Sequence, residues 1–178
     1  MHNVNEIRDL LQQALVAIYK SEKFEEKAMS IAQYLGLQGE KRRMRYESAK
    51  NHNLMNYLKC DSFDAYGIEL KIHHQEVEMP EVMNIKGYFT TYLEKIEGQY
   101  ETLHSIANKL VMANCQHYAC CLYDICKHLM CDIKYYKRTI MEGDIVKWSP
   151  EFIFLHQTTN ENVHDHMEEK EKEIGYDF

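Results

Sequence analysis

The chain has 178 residues, 45% of them hydrophobic, and a formal charge of −7 with histidine neutral. That length fits one domain with a sizeable core, and the acidic balance argues against a general nucleic-acid binder. With only 7 Gly and 2 Pro, tight turns are too scarce for a sheet-rich fold, so long helices with few breaks are expected.

The first helix is predicted over residues 3–35, where Ile7, Leu11, Ala14, Ile18, Ala28 and Ile31 recur at helical spacing before Gly36. Glu22 and Glu25 lie close to its apolar line. A second helix, about 38–65, carries Met44, Leu54, Met55 and Leu58 inward and opens on the basic turn Lys41–Arg45. Positive charge at a helix N-terminus opposes the macrodipole, so acidic partners or a bound anion would offset it unless the turn is simply solvated. GIELKIHHQEVEMP, residues 67–80, reads as a long connection. A third helix is expected from near Pro80 to about 112, and a fourth over roughly 114–142, ended by Gly143. Ser149 and Pro150 suit the cap and first turn of a last helix running to about Gly175. These elements predict a single all-α domain, residues 1–178: a four-helix bundle with a further short C-terminal helix.

No run approaches the ~18 apolar residues a membrane span needs. MHNVNEIRDL lacks a signal-peptide layout, and Cys60, Cys115, Cys120, Cys121, Cys126 and Cys131 lie mostly along one helix, where they pair poorly. A cytoplasmic protein with reduced thiols and no membrane partner is the expectation.

The third helix holds LEKIEGQYETLHSIA. Stepping 100° per residue from a stripe centred on Val111 and shared with the fourth helix brings Glu97 and His104 to the inward face. Glu101 then lies near its edge, and Glu94 a little further out. Glu101-Thr-Leu-His104 is a Glu-x-x-His pair, the spacing by which one helix offers a carboxylate and an imidazole to an ion inside a bundle. Glu22 or Glu25 of the first helix and Glu47 of the second could supply single carboxylates. Carboxylate and imidazole suit iron or manganese. The alternative is a metal-free cluster in which His104 bonds to Glu97, Glu101 or a tyrosine of another helix. A second match, Glu161-Asn-Val-His164, points away from its helix's apolar stripe. The His117, Cys121, Asp124, His128 and Cys131 line falls on the outward side of the fourth helix, as an exposed face or a subunit contact.

LEKIEGQYETLHSIANKL resembles the third bundle helix of ferritins, in which Leu-Glu-Lys is followed by a downstream Leu-His. The helix lengths and the long connection are also similar to that architecture. The resemblance implies a ferritin-like bundle, an intra-bundle di-iron site that oxidises ferrous iron, and homo-oligomeric assembly. Under it, Glu94 corresponds to the third-helix carboxylate of the oxidation site. Three places depart from the pattern: Gln12 and Gln13 stand where a first-helix ligand would be, YESAKNHNLMNYL lacks the second-helix Glu-x-x-His, and the Leu-Glu-Lys to Leu-His interval is one residue short. Two functions are therefore expected. One is binding of iron or a similar divalent metal by Glu25, Glu47, Glu94, Glu97, Glu101 and His104, with a degenerate or rebuilt oxidation site. The other is a non-enzymatic helical module that works through protein contacts.

Overall fold

The computed structural model describes residues 3–82 and 84–157. They form α1 (Val4–Tyr34), α2 (Gln38–Tyr66), α3 (Ile85–Met112), α4 (Gln116–Ile145) and α5 (Pro150–Gln157). No strand occurs among the described residues. The predicted end of the last helix near Gly175, and the Glu161–His164 pair, lie outside them.

Local chemistry sets the boundaries. The Asn3 side chain accepts from the Glu6 N–H at 3.2 Å and starts α1. Gly67 closes α2 in the left-handed conformation at φ 67°, its N–H donating to the Phe63 carbonyl and that of Ile68 to the Ser62 carbonyl. The third helix starts at Ile85 rather than near Pro80, because the Asn84 side chain accepts from the Gly87 N–H at 2.7 Å. Gly143 does not end α4; it lies within the helix, where a Cβ would stand 2.6 Å from the Trp148 ring. The fourth helix therefore runs on to Ile145, and the chain turns at Lys147 and Trp148, at φ 53° and 50°.

α1 packs along α2, and α3 along α4, with α1 also against α3. Cross-helix contacts show both pairs to be antiparallel, as their short connections require: Glu22 meets His52 and Glu25 meets Asn51, while Asn108 meets Tyr123 and Glu97 meets Lys137. Residues 67–82 then return along the bundle as an extended strap beside α1. Gln12 holds Lys71 by two bonds, 2.6 Å to its carbonyl and 3.0 Å from its N–H. Further along, Tyr19 bonds His74 at 3.2 Å and Lys27 donates to the Val77 carbonyl. Ile68, Leu70 and Val77 are buried beneath the strap. This single long crossover brings the starts of α2 and α3 to one end of the bundle, where Tyr88 reaches Glu40.

The core is made of Ile7, Leu11, Leu15 and Ile18 from α1, Met44 and Leu58 from α2, Phe89 and Leu103 from α3, and Tyr118, Leu122 and Tyr136 from α4. A fully buried aliphatic side chain of this kind contributes about 1.5–3 kcal/mol. The buried line of α3 runs through Tyr88, Tyr92, Ile96, Gln99, Leu103, Ile106 and Leu110. Val111, the chosen centre of the sequence projection, is 40% exposed. Asn114 explains the difference. Its φ of 59° breaks the helix between α3 and α4, so the two do not share one stripe, and the true seam lies about a quarter-turn from Val111.

Candidate metal centre

The rotated seam changes where the third-helix candidates sit. Glu94 and Glu101 are exposed. Glu97 is half-buried and turns outward to Lys137, at 3.8 Å, with its carboxylate 41% exposed. His104 lies flat on Tyr100 with ring centres 5.4 Å apart and meets Tyr123 edge-on at 5.6 Å. Its Nδ1 is 3.4 Å from the Asn108 amide nitrogen. The inward placement of Glu97 and His104 is thus corrected. They occupy a flank of the α3–α4 pair, and Glu101 and His104 do not aim at a common point in the core.

The polar group on the bundle's inner surface comes from α1 and α2 instead. Glu25 is 4% exposed, and both of its oxygens take hydrogen bonds from the Asn51 amide, at 3.0 and 2.9 Å. Burial, reinforced by the charge of Glu47, holds the Glu25 carboxyl well above the usual carboxylate range, while the Asn51 bond opposes the shift. One turn earlier, Glu22 is 7% exposed and its Oε1 is 3.2 Å from His52 Nδ1. Burial raises the Glu22 carboxyl too, with His52 pulling it back. Tyr92 of α3 closes the group from the other side. Its phenol is raised first by burial and then by the charges of Glu25 and Glu47.

Of the sequence candidates, Glu25 is buried on α1 and feels the charge of half-buried Glu47 on α2, whereas Glu94, Glu97, Glu101 and His104 stand on the exposed or half-buried side of α3. Sequence reading passed over Asn51 as a partner and placed no function on Tyr92. Their signal is faint: each lies on the buried line of its helix, but only the register of α1 against α2 reveals the contact. Among the described residues, no three His, Cys, Asp or Glu side chains are gathered closely enough to hold one metal ion. What stands inside the bundle is one buried carboxyl, Glu25, bonded to Asn51 and disfavoured as a charge by burial and by Glu47.

A second buried network caps the end where α2 and α3 begin. Glu40, 5% exposed, accepts from Tyr136 at 2.5 Å and from Tyr88 at 3.3 Å. Arg43 lies 4.4 Å from the Tyr135 ring centre and 3.3 Å from Asp132. Burial works against its charge, yet Tyr136, Glu40 and Asp132 together hold the guanidinium above its usual range. This accounts for part of the basic turn in α2, since Arg43 is paired inside the protein. The outward line of α4 is also as expected: His117, Asp124, His128 and Cys131 are exposed, and His117 bonds Tyr57 of α2 at 2.9 Å.

With this geometry in view, solved structures supply the comparison. The chain is similar to apo-ferritin from Pseudo-nitzschia multiseries, with a TM-score of 0.73 over 86% of this chain and 97% of that one, at 12% identity. It is likewise similar to a PmFTN variant soaked in iron, with a TM-score of 0.74, 11% identity, and 88% and 99% of the two chains covered. The chain has a ferritin-like fold. No family model matches the sequence, and no curated protein matches it. The ferritin-like bundle is thus reached with little shared sequence, and its polar middle has to be read from its own residues.

Proposed function

We propose that this ferritin-like bundle binds iron or a similar divalent cation between α1 and α2, with Glu25 and Glu47 as the principal ligands. The observation that carries this reading is a buried carboxylate under the charge of a second one: Glu25 is 4% exposed, and half-buried Glu47 acts on it from α2. A divalent cation would relieve that repulsion and displace the proton Glu25 otherwise retains. Glu22 and His52 form a separate neighbouring pair of residue types that suit iron or manganese. The iron-soaked structure to which the chain is similar supports iron as the first metal to try. In this reading iron is cargo or substrate, and a self-assembled homo-oligomer is the working form. Glu94, Glu97, Glu101 and His104 would serve at most as outer donors along the approach to the bundle. The test is an anaerobic ferrous titration followed by calorimetry. Saturable binding is expected, reduced at least tenfold in Glu25→Gln and in Glu47→Gln and unchanged in Glu101→Gln.

One observation favours a second reading, in which the same group is structural. The Asn51 amide already bonds both Glu25 oxygens, so hydrogen bonds and one proton can satisfy the pair without an ion. The chain would then be a ferritin-like module acting through contacts with other proteins. Heat absent above the buffer blank in the ferrous titration, with Glu25→Gln raising stability at neutral pH, would select this reading over the first.

A further inference from the structure

Outside the polar middle, α1 and α3 enclose a groove of about 350 Å³. Lys20 of α1 and Lys95 of α3 both line it. Neither lysine forms an ion pair among the described residues; Lys95 instead lies 5.3 Å from the Phe24 ring centre. Gln99, on the buried seam of α3, is 9% exposed and lines the same groove. Among the described residues its side-chain amide has no hydrogen-bond partner. The wall of α1 between these groups is Val16 and Ala17, and Gly98 leaves the α3 side open, since a Cβ there would meet nothing within 4 Å.

We infer that the α1–α3 groove binds a small organic anion, its carboxylate or phosphate head held by Lys20, Lys95 and the Gln99 amide and its short apolar stem lying on Val16 and Ala17. Two like charges facing one cleft disfavour each other until an anion lies between them. Consistent with this, burial and then Lys20 hold the Lys95 ammonium below the usual lysine range. Glu94 also lines the groove, on its exposed side, which places a sequence candidate for metal binding at a different site. The lone carboxylate limits the charge the groove accepts and favours a singly or doubly charged head over a polyanion. This inference does not depend on metal binding at Glu25.

The probes are butyl phosphate, butyrate and inorganic phosphate, titrated by calorimetry and by NMR of the lysine amines. One of the two organic anions is expected to bind saturably and to raise the titration midpoint of Lys95. Lys95→Gln should weaken that binding at least tenfold. Gly98→Leu, which fills the groove from a position with open space, should abolish it while the helical circular dichroism is retained. Preference for butyl phosphate identifies a phosphate head, and preference for butyrate a carboxylate head. The inference is overturned if neither organic anion saturates, if Gly98→Leu and Lys95→Gln bind as the parent does, or if inorganic phosphate alone binds as tightly as butyl phosphate.

Discussion

Glu25 concentrates the chemistry of the bundle in one side chain. Its carboxyl is held well above the value of 4.5 that it would have in the unfolded chain. Below that pH the group is neutral in both states, and its stabilising contribution is fully present. As pH rises, the unfolded chain ionises first, and the contribution is lost progressively until the folded-state value is passed. Thermal unfolding followed from pH 4 to pH 8 should therefore show stability falling with pH over the lower part of that range. Glu25→Gln should flatten this slope, because a neutral amide has no proton to lose. Asn51→Leu should extend the fall to higher pH, since the bond that offsets the burial disappears and the folded-state value rises further. A parent protein with no such slope would mean that Glu25 ionises freely in the fold.

At the scale of the helix, glycines separate two kinds of packing. Gly143 lies under the Trp148 ring, so Gly143→Ala must push that indole aside and should cost about 1–3 kcal/mol in urea unfolding. Gly98 faces open space in the middle of α3, so Gly98→Ala should add about 0.5–1 kcal/mol by restricting the unfolded chain. The Glu40 network joins three helices, and Glu40→Leu would leave the Tyr88 and Tyr136 hydroxyls without their acceptor and remove one of the charges that hold buried Arg43 ionised. A loss of about 3 kcal/mol or more is expected from the same measurement. The helices themselves were legible in sequence because Ile7, Leu11, Ala14 and Ile18, and their counterparts elsewhere, repeat at helical spacing. The start of α3 was less so: Pro80 looked like its first turn, but the strap pinned by Gln12 and Tyr19 keeps that stretch extended until Asn84 can cap. The inner face of α3 was misread because Val111 stands next to a break at Asn114 that resets the helical phase. Glu22 and Glu25 were recognisable as acids near an apolar line. The Asn51 contact was not, because it depends on the register between two helices rather than on spacing along one.

For the whole molecule, one long strap between α2 and α3 converts two antiparallel helix pairs into the ferritin-like arrangement, and that arrangement puts carboxylates of facing helices side by side. No described helix is long and apolar enough to cross a membrane, yet Tyr34 and Met112 are 82% and 83% exposed, and Phe154 and Leu155 of α5 are 63% and 67% exposed. If the proposed homo-oligomer is the working form, exposed apolar side chains such as these are where copies would meet. Light scattering coupled to size exclusion should accordingly return a multiple of the chain mass, and Met112→Lys with Leu155→Lys should shift it toward the monomer. Metal binding at the polar middle is the central claim, and anomalous diffraction from a manganese-soaked crystal tests it most directly. The account predicts one anomalous peak between α1 and α2, within bonding distance of Glu25 and Glu47, with the Asn51 amide displaced from at least one Glu25 oxygen. A map with no peak there, and Asn51 still bonded to both oxygens at saturating manganese, would contradict it.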